Sequence, residues 1–439
     1  MSAFPGRRLG VALALLAVLA LAAAWWPALL LPLAGATLVL LALVALDLAL
    51  LRRIPPPQAL RQLPDRAFVG RAAEVVLRIQ NEAAEPVRID VVDELPSDLA
   101  PSDPSFASVW LEAHGQTQLR YAVQPRERGD RPLGALVLLQ HSPLGLLRRR
   151  HVFTPAAALR VYPDAQRYLR SEALDLERTL ASIGVKPTRR PGEGIEFETL
   201  REYVPGDDPR RLDWAATARR GRPITRIFSH ERNQTVWIAL EAGRLMGERC
   251  GERTKLDGAI DAALALAFVS LMSGDRTGAI VFDREVRGLT AARGRRSQLG
   301  AILELFRHAQ PRGVEADYAH LFRALASRPR ALVVVIGDFV EAFTSRMSEA
   351  LVALARKHRV LLVVLRSPVF AALDGREPGA SGPALDLYGR LVVDDLLRER
   401  EEALAGLRRQ GVLTLDATLD GVAAPVIRRY LQLRYGREG

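Results

Sequence analysis

The chain has 439 residues, 49% of them hydrophobic and 25% charged, with 61 Lys and Arg against 50 Asp and Glu for a net charge of +11. That length exceeds one ordinary core and predicts about two or three domains. The single cysteine, Cys250, excludes an intramolecular disulfide framework and a cysteine-built zinc site. Arginines spread along the whole chain fit attraction to anionic lipid better than a nucleic-acid face, for which no fold signature is present.

Leu9 to Ala24 and Ala28 to Leu51 are apolar runs with almost no polar side chain except Asp47. The first alone also fits a cleaved signal peptide, with Arg7 and Arg8 as its basic region and Ala22-Ala23-Ala24 as a cleavage site. The second run argues for a transmembrane hairpin. It can cross a hydrocarbon core of about 30 Å, and it follows only the short break Trp25-Trp26-Pro27, whose aromatics suit an interface. Arg7 and Arg8 before the first span, and Arg52, Arg53 and Arg61 after the second, place both ends in the cytoplasm. Residues 1–54 are then the two spans. Asp47, near the cytoplasmic end, reads as a solvated interface residue rather than an intramembrane functional acid.

Pro55-Pro56-Pro57 is a stiff exit from the membrane. Over 55–163 short alternating runs such as AEVVLRIQN, EPVRIDVVDEL, TQLRYAVQP and LGALVLLQHS are separated by turn residues, which predicts an antiparallel β-sandwich. Residues 164–232 hold leucines and alanines at helical spacing from Asp164 to Gly184, then a highly charged stretch. From 233 to 439 the rhythm changes to apolar, β-rich runs (QTVWIALE, DRTGAIVFD, RALVVVIGD, RVLLVVLRS, GVLTLDA) alternating with amphipathic helices, the pattern of a mainly parallel sheet covered on both faces. REVRGLTAARG, after Asp283, follows too soon for a crossover helix and predicts an antiparallel edge strand. Val422 to Tyr435 predicts a last helix covering that sheet.

The usual catalytic motifs are missing. The chain has no G-x-x-x-x-G-K-[ST], H-E-x-x-H or G-x-S-x-G. Gly192-Glu193-Gly194 neither follows a strand nor reaches a third glycine. The histidines are scattered, and His230 beside Glu231-Arg232 reads as an ion-paired surface residue. In contrast, GEGIEFETLREYVPGDDPRRLDWAATARRGRPITR, Gly192 to Arg226, sets Phe197, Tyr203 and Trp214 at fixed places among dense charge of both signs. Aromatics mixed with arginine suit a folded interface more than a solvated charge run.

This segment resembles the signature of the bacterial domain-of-unknown-function family number fifty-eight, E-F-x-x-L-R-x-Y-x-x-G-D-x-x-R-x-I-x-W-x-x-x-A-R. Glu196, Phe197, Leu200, Arg201, Tyr203, Gly206, Asp207, Arg210, Trp214, Ala218 and Arg219 fit it, with Leu212 at the aliphatic position and Asp213 beside the tryptophan. The resemblance implies two N-terminal spans, a β-rich region with a motif like Ser142-Pro143-Leu144-Gly145-Leu146, the signature, and a Rossmann-like α/β domain of von Willebrand A type. It also implies a membrane-anchored adaptor, without enzymatic chemistry, that partners a MoxR-type AAA+ ATPase at the bacterial inner membrane. No small-molecule substrate is implied.

Von Willebrand A-type domains that hold a divalent ion use D-x-S-x-S, a threonine and an aspartate. On this chain the first motif falls on Glu241, Gly243 and Leu245, without its hydroxyls, and the second loop puts Ala316 at the threonine. Asp338 alone keeps its place. Glu241 and Asp338 are thus a degenerate metal site, able at most to hold a hydrated Mg²⁺ weakly. No cofactor is expected, and Glu241 is expected to accept from amides opening the helix after its strand, with Asp338 capping the next. The enzymatic alternative is a metal-dependent hydrolase using Glu241, Asp283 and Asp338, which lacks a nucleophile or histidine partner.

Overall fold

The computed structural model describes residues 3–101, 106–154, 158–164, 198–204, 212, 214–228, 234–251, 253–338, 345–366, 387–419 and 421–435. The chain divides into two compact units, Met1–Tyr162 and Pro163–Gly439.

In the first unit a short strand β1 (Ala3–Pro5) leads into helix α1 (Arg7–Trp25) and, after a single turn, helix α2 (Leu30–Arg53). Both helices are long and apolar enough to cross a membrane, and leucines such as Leu15, Leu21, Leu31 and Leu38 on them are exposed. Then come β2 (Gln58–Gln62), β3 (Ala67–Phe68), β4 (Ala73–Gln80), β5 (Val87–Asp93), β6 (Leu99–Pro101) and β7 (Phe106–Leu111). β8 (Gln116–Pro125), β9 (Gly129–Pro132), β10 (Leu136–His141), β11 (Leu147–Phe153) and β12 (Ala158–Tyr162) complete it. They form sheets ordered β1-β11-β10-β5-β7, β2-β4-β8-β6 and β3-β12-β9, antiparallel throughout except for the β3–β12 pair. Side chains alternate across a strand, so β4 buries Ala73, Val75, Leu77 and Ile79 while β5 buries Val87, Ile89 and Val91. These join Val123, Leu136, Leu138 and Leu159 in one core shared by the sheets.

One expectation is corrected here. Asp47 is not solvated: it is fully buried. Its carboxylate accepts from the Ser142 hydroxyl at 2.5 Å and from the backbone N–H groups of Leu144, Leu146 and Leu147 at 3.0, 3.1 and 3.2 Å. The same turn grips the start of α1, because Gly6 N–H donates to the Leu146 carbonyl at 2.7 Å and Arg8 Nη1 to the Leu144 carbonyl at 3.1 Å. A Cβ on Gly6 would lie 2.7 Å from the Gly145 carbonyl oxygen, too close for any other residue without a backbone shift. Gly145 itself has φ +73, a left-handed conformation that suits glycine. The S-P-L-G-L motif therefore ties the start of α1 and the end of α2 to the sheet. Arg61, counted among the charges after the second span, lies in β2 in a buried ion pair with Asp93, which also accepts from Tyr121.

In the second unit β13 (Glu198–Glu202) and β14 (Ile224–Phe228) pair as an antiparallel ribbon, with α3 (Trp214–Arg220) between them in sequence. β15 (Thr235–Glu241) follows, and then a small ribbon of β16 (Arg249–Cys250) and β17 (Arg253–Thr254) before α4 (Lys255–Met272). Next come β18 (Arg276–Phe282), β19 (Val286–Arg293), α5 (Gln298–Arg307) and α6 (Tyr318–Ala326). β20 (Leu332–Gly337), α7 (Ser345–Lys357), β21 (Arg359–Leu365), α8 (Leu387–Arg409), β22 (Leu413–Ala417) and α9 (Ala423–Tyr435) end the unit. The sheet runs β19-β18-β15-β20-β21-β22, parallel except for the antiparallel edge β19 that the sequence predicts. Two buried clusters, one on each face, flank it. α4 and α9 pack in the first, through residues such as Leu266, Val426 and Tyr430, and α6 and α7 in the second, through Leu321 and Leu354. The segment Asp164 to Gly184 lies outside the described residues except for Asp164.

Candidate functional site

β15, β18 and β20 are neighbouring parallel strands, so their carboxyl ends bring Glu241, Asp283 and Asp338 to one end of the sheet, where α/β folds place ligands. All three acids are buried. One of them, Asp338, has a lysine as its partner. Lys255, the first residue of α4, is 1% exposed, and its ammonium is paired with both Asp338 and Glu248. Its backbone N–H donates to the Glu248 carbonyl at 3.0 Å. Thr254 caps α4 with a reciprocal box to Asp257, which fixes where Lys255 enters the cluster.

Glu241 does not cap a helix. Its strand is followed by a short 3₁₀ turn, Arg244–Gly247, with no side-chain cap, and the α-helix starts only at Lys255 because the β16–β17 ribbon intervenes. Glu241 instead accepts from the Tyr318 hydroxyl at 2.5 Å and from the Asp338 backbone N–H. Burial pushes its carboxyl up to about 8; the Tyr318 hydrogen bond opposes this and the nearby Asp338 charge adds to it. Burial, then Glu241, holds the Tyr318 phenol well above its ordinary value, so it stays a donor. Burial works against the charge on Lys255, yet Asp338 and Glu248 outweigh it and leave the ammonium harder to deprotonate than usual. For Asp338 burial again raises the carboxyl, with Lys255 opposing.

Asp338 serves as a counter-ion to Lys255; residues 339–344, on which the expected helix cap falls, lie outside the described residues. Asp283 accepts from Arg287 Nε at 2.8 Å and from the Glu285 N–H at 3.1 Å, which commits it to its own turn. The loop of Glu315 to Tyr318 does approach: a Cβ on Gly243 would lie 3.4 Å from the Ala316 nitrogen and 3.2 Å from Glu241 Oε1. A Cβ on Gly337 would collide with the Glu241 carboxylate, so a larger residue there would displace that side chain. A divalent ion fits this donor set poorly. Mg²⁺ wants six oxygens in near-ideal octahedral geometry, whereas an ammonium already contacts Asp338 and Glu248, and Glu241 favours its protonated form. No group of three or more metal-ligating side chains occurs among the described residues.

Sequence reasoning missed Lys255 and Glu248. The signal was present in Thr254-Lys255-Leu256-Asp257, a capping box that fixes a cation at the first helical position after a predicted strand-end loop.

Of the signature, Glu196, Phe197, Gly206, Asp207, Arg210 and Asp213 lie outside the described residues, and only the backbone of Arg201 is described. Tyr203 is half-buried, with its N–H on the Pro223 carbonyl at 2.8 Å, and Arg219 is exposed. Trp214 is 72% exposed at the start of α3. His230 lies outside the described residues.

The family model described as "Protein of unknown function DUF58" matches residues 199–376. An uncharacterized protein of Mycobacterium bovis is 34% identical over 244 residues, 54% of this chain and 75% of that protein. The chain belongs to the DUF58 family. An uncharacterized protein of Mycobacterium tuberculosis strain H37Rv matches at the same 34% over 244 residues, again 54% of this chain and 75% of its own length. Among solved structures, the vWF domain of the type V pili tip protein Mfa5 from Porphyromonas gingivalis has a TM-score of 0.26 at 11% identity, covering 47% of this chain and 97% of that one. Native alpha-2-macroglobulin from Escherichia coli, residues from domain MG7 to the C-terminus, has a TM-score of 0.21 at 14% identity, covering 81% and 55%. These TM-scores are too low to establish a common fold.

Proposed function

We propose that this DUF58 protein is an adaptor of the bacterial inner membrane, held by two spans, whose cytoplasmic α/β unit is a von Willebrand A-type module that binds its partner without an ion. The observation that carries the reading is the Lys255 ammonium seated between Asp338 and Glu248 at the strand ends. A site neutralised by the protein's own cation leaves little for a metal to do and offers no activated nucleophile. The sheet order with its antiparallel β19 edge supports the module assignment, and the exposed leucines of α1 and α2 support the spans. The partner best matching the family resemblance is a MoxR-type AAA+ ATPase, with the open Trp214 as part of the contact.

The test is affinity purification of the full chain in mild detergent, followed by mass spectrometry. A MoxR-type ATPase should co-purify, and substitution of Arg201, Asp207 or Trp214 should release it. Repeated clean preparations that contain no ATPase would count against the proposal.

A further inference from the structure

β7 (Phe106–Leu111) is an outer strand of the β1-β11-β10-β5-β7 sheet, paired with β5 on one side and with no strand on the other among the described residues. A free edge presents a row of unpaired N–H and C=O groups that another strand can take up, and proteins blunt such edges with short strands, prolines, charges or bulges. The other outer strands of the first unit follow that rule. β1 has three residues and ends on Pro5, β6 has three and ends on Pro101, and β3 has two. β9 carries Asp130, Arg131 and Pro132, and β2 turns the charged Arg61 inward. β7 reads FASVWL, with no charge and no proline, and keeps a continuous register with β5 from Phe106 to Leu111.

The two faces of β7 differ. Val109 packs against the core and Leu111 is buried in it, whereas Ser108 and Trp110 are exposed on the opposite face, Trp110 to 68%. The Ser108 hydroxyl accepts from Arg88 Nε at 3.0 Å and donates to Asp90 Oδ1 at 2.8 Å. Arg88 stands opposite Trp110 in the ladder, yet this bond draws its guanidinium along to Ser108. The edge therefore offers an open indole and, two residues away, an arginine held in place.

The strand's own symmetry selects the occupant. Residues directly opposite in an antiparallel ladder share a face, so a second β7 must be centred on one residue and not between two. Centred on Val109, it sets Val109 against Val109 of the second copy and Trp110 against Ser108 of the second copy. There the indole meets the guanidinium that Ser108 holds, a cation–π pairing. The two-fold axis makes this contact twice, and no like charges oppose each other in the new ladder because β7 has none.

We propose that two copies of this chain pair through β7, antiparallel and centred on Val109, so that their five-stranded sheets join into one and Trp110 of each copy stacks on Arg88 of the other. The pairing depends on neither the adaptor function nor the membrane spans.

The experiment is native mass spectrometry of the full chain in mild detergent over a concentration series. The unsubstituted chain should dimerise, and Trp110→Lys should weaken the dimer by about a hundred-fold, roughly tenfold for each of the two indoles. Leu60→Lys, at an exposed leucine of the β2 edge, should change nothing. Trp110 is exposed, so its replacement should leave the thermal midpoint where it is. Should the midpoint fall, Val109→Cys in a Cys250→Ser background gives the answer. Directly opposed residues of an antiparallel pair lie about 4.5 to 5.5 Å apart at Cα, within disulfide reach, so mild oxidation should link two copies at position 109. A chain that stays monomeric across the series, a dimer equally strong in Trp110→Lys, or no cross-link at position 109 overturns the proposal.

Discussion

The two units each bury an acid that a first reading would call functional, and they satisfy it by different means. Asp47 is surrounded by neutral donors, one hydroxyl and three backbone amides of a single turn. Asp338 is neutralised by a buried ammonium shared with Glu248. The first arrangement specifies position, because amides of a tight turn can converge on a carboxylate in only one relative placement of helix and sheet. The second specifies charge, because it fills with lysine the kind of acidic strand-end site that elsewhere attracts a cation. A carboxylate at a strand end is therefore weak evidence for metal chemistry until its counter-ion is known.

The comparison is broken most sharply at Lys255. Lys255→Met strands Asp338 without its partner in a buried place and should cost about 3 to 5 kcal/mol, read as a drop in the thermal midpoint; partial recovery with Mg²⁺ in the variant alone would show that the lysine stands where a cation would. Asp47→Ala leaves the Leu144 and Leu146 amides without their acceptor, while the Ser142 hydroxyl and the Leu147 amide keep partners within the turn, and should cost about 2 kcal/mol, read by thermal denaturation in detergent. An unchanged midpoint there would mean that the turn holds without the acid.

Glu241 sharpens the contrast through pH. Its folded carboxyl, at about 8, binds its proton more tightly than in the unfolded chain, so the folded state is favoured at low pH. Stability should fall as pH rises from the ordinary carboxylate range through about 8. Glu241→Gln should flatten that slope, and an identical pH profile in the variant would remove Glu241 as its source. The smallest effect is expected at Thr254→Ala, where loss of the cap that sets the entry of Lys255 should cost about 1 kcal/mol in chemical denaturation.

Much of the architecture was legible because it is written in periodicity. The alternation in AEVVLRIQN became β4 with its buried face, and the short return after Asp283 became the antiparallel β19. What escaped were contacts between residues far apart in the chain. Asp47 and Ser142 are 95 positions apart and Lys255 and Asp338 are 83 apart, and no local pattern reports such pairs. Asp47 was misread as solvated because its apolar neighbours gave no hint that a turn from the β-rich region would come to it. Glu241 was assigned helix amides because the ribbon of Arg249–Cys250 and Arg253–Thr254 is too short to show as strands.

The central claim is that the strand-end site is closed by the protein's own ammonium and works without an ion. Calorimetric titration of Mg²⁺ and Mn²⁺ into the full chain tests it most directly. The account predicts no saturable heat at millimolar ion for the unsubstituted protein. Saturable binding that Asp338→Asn abolishes would contradict it.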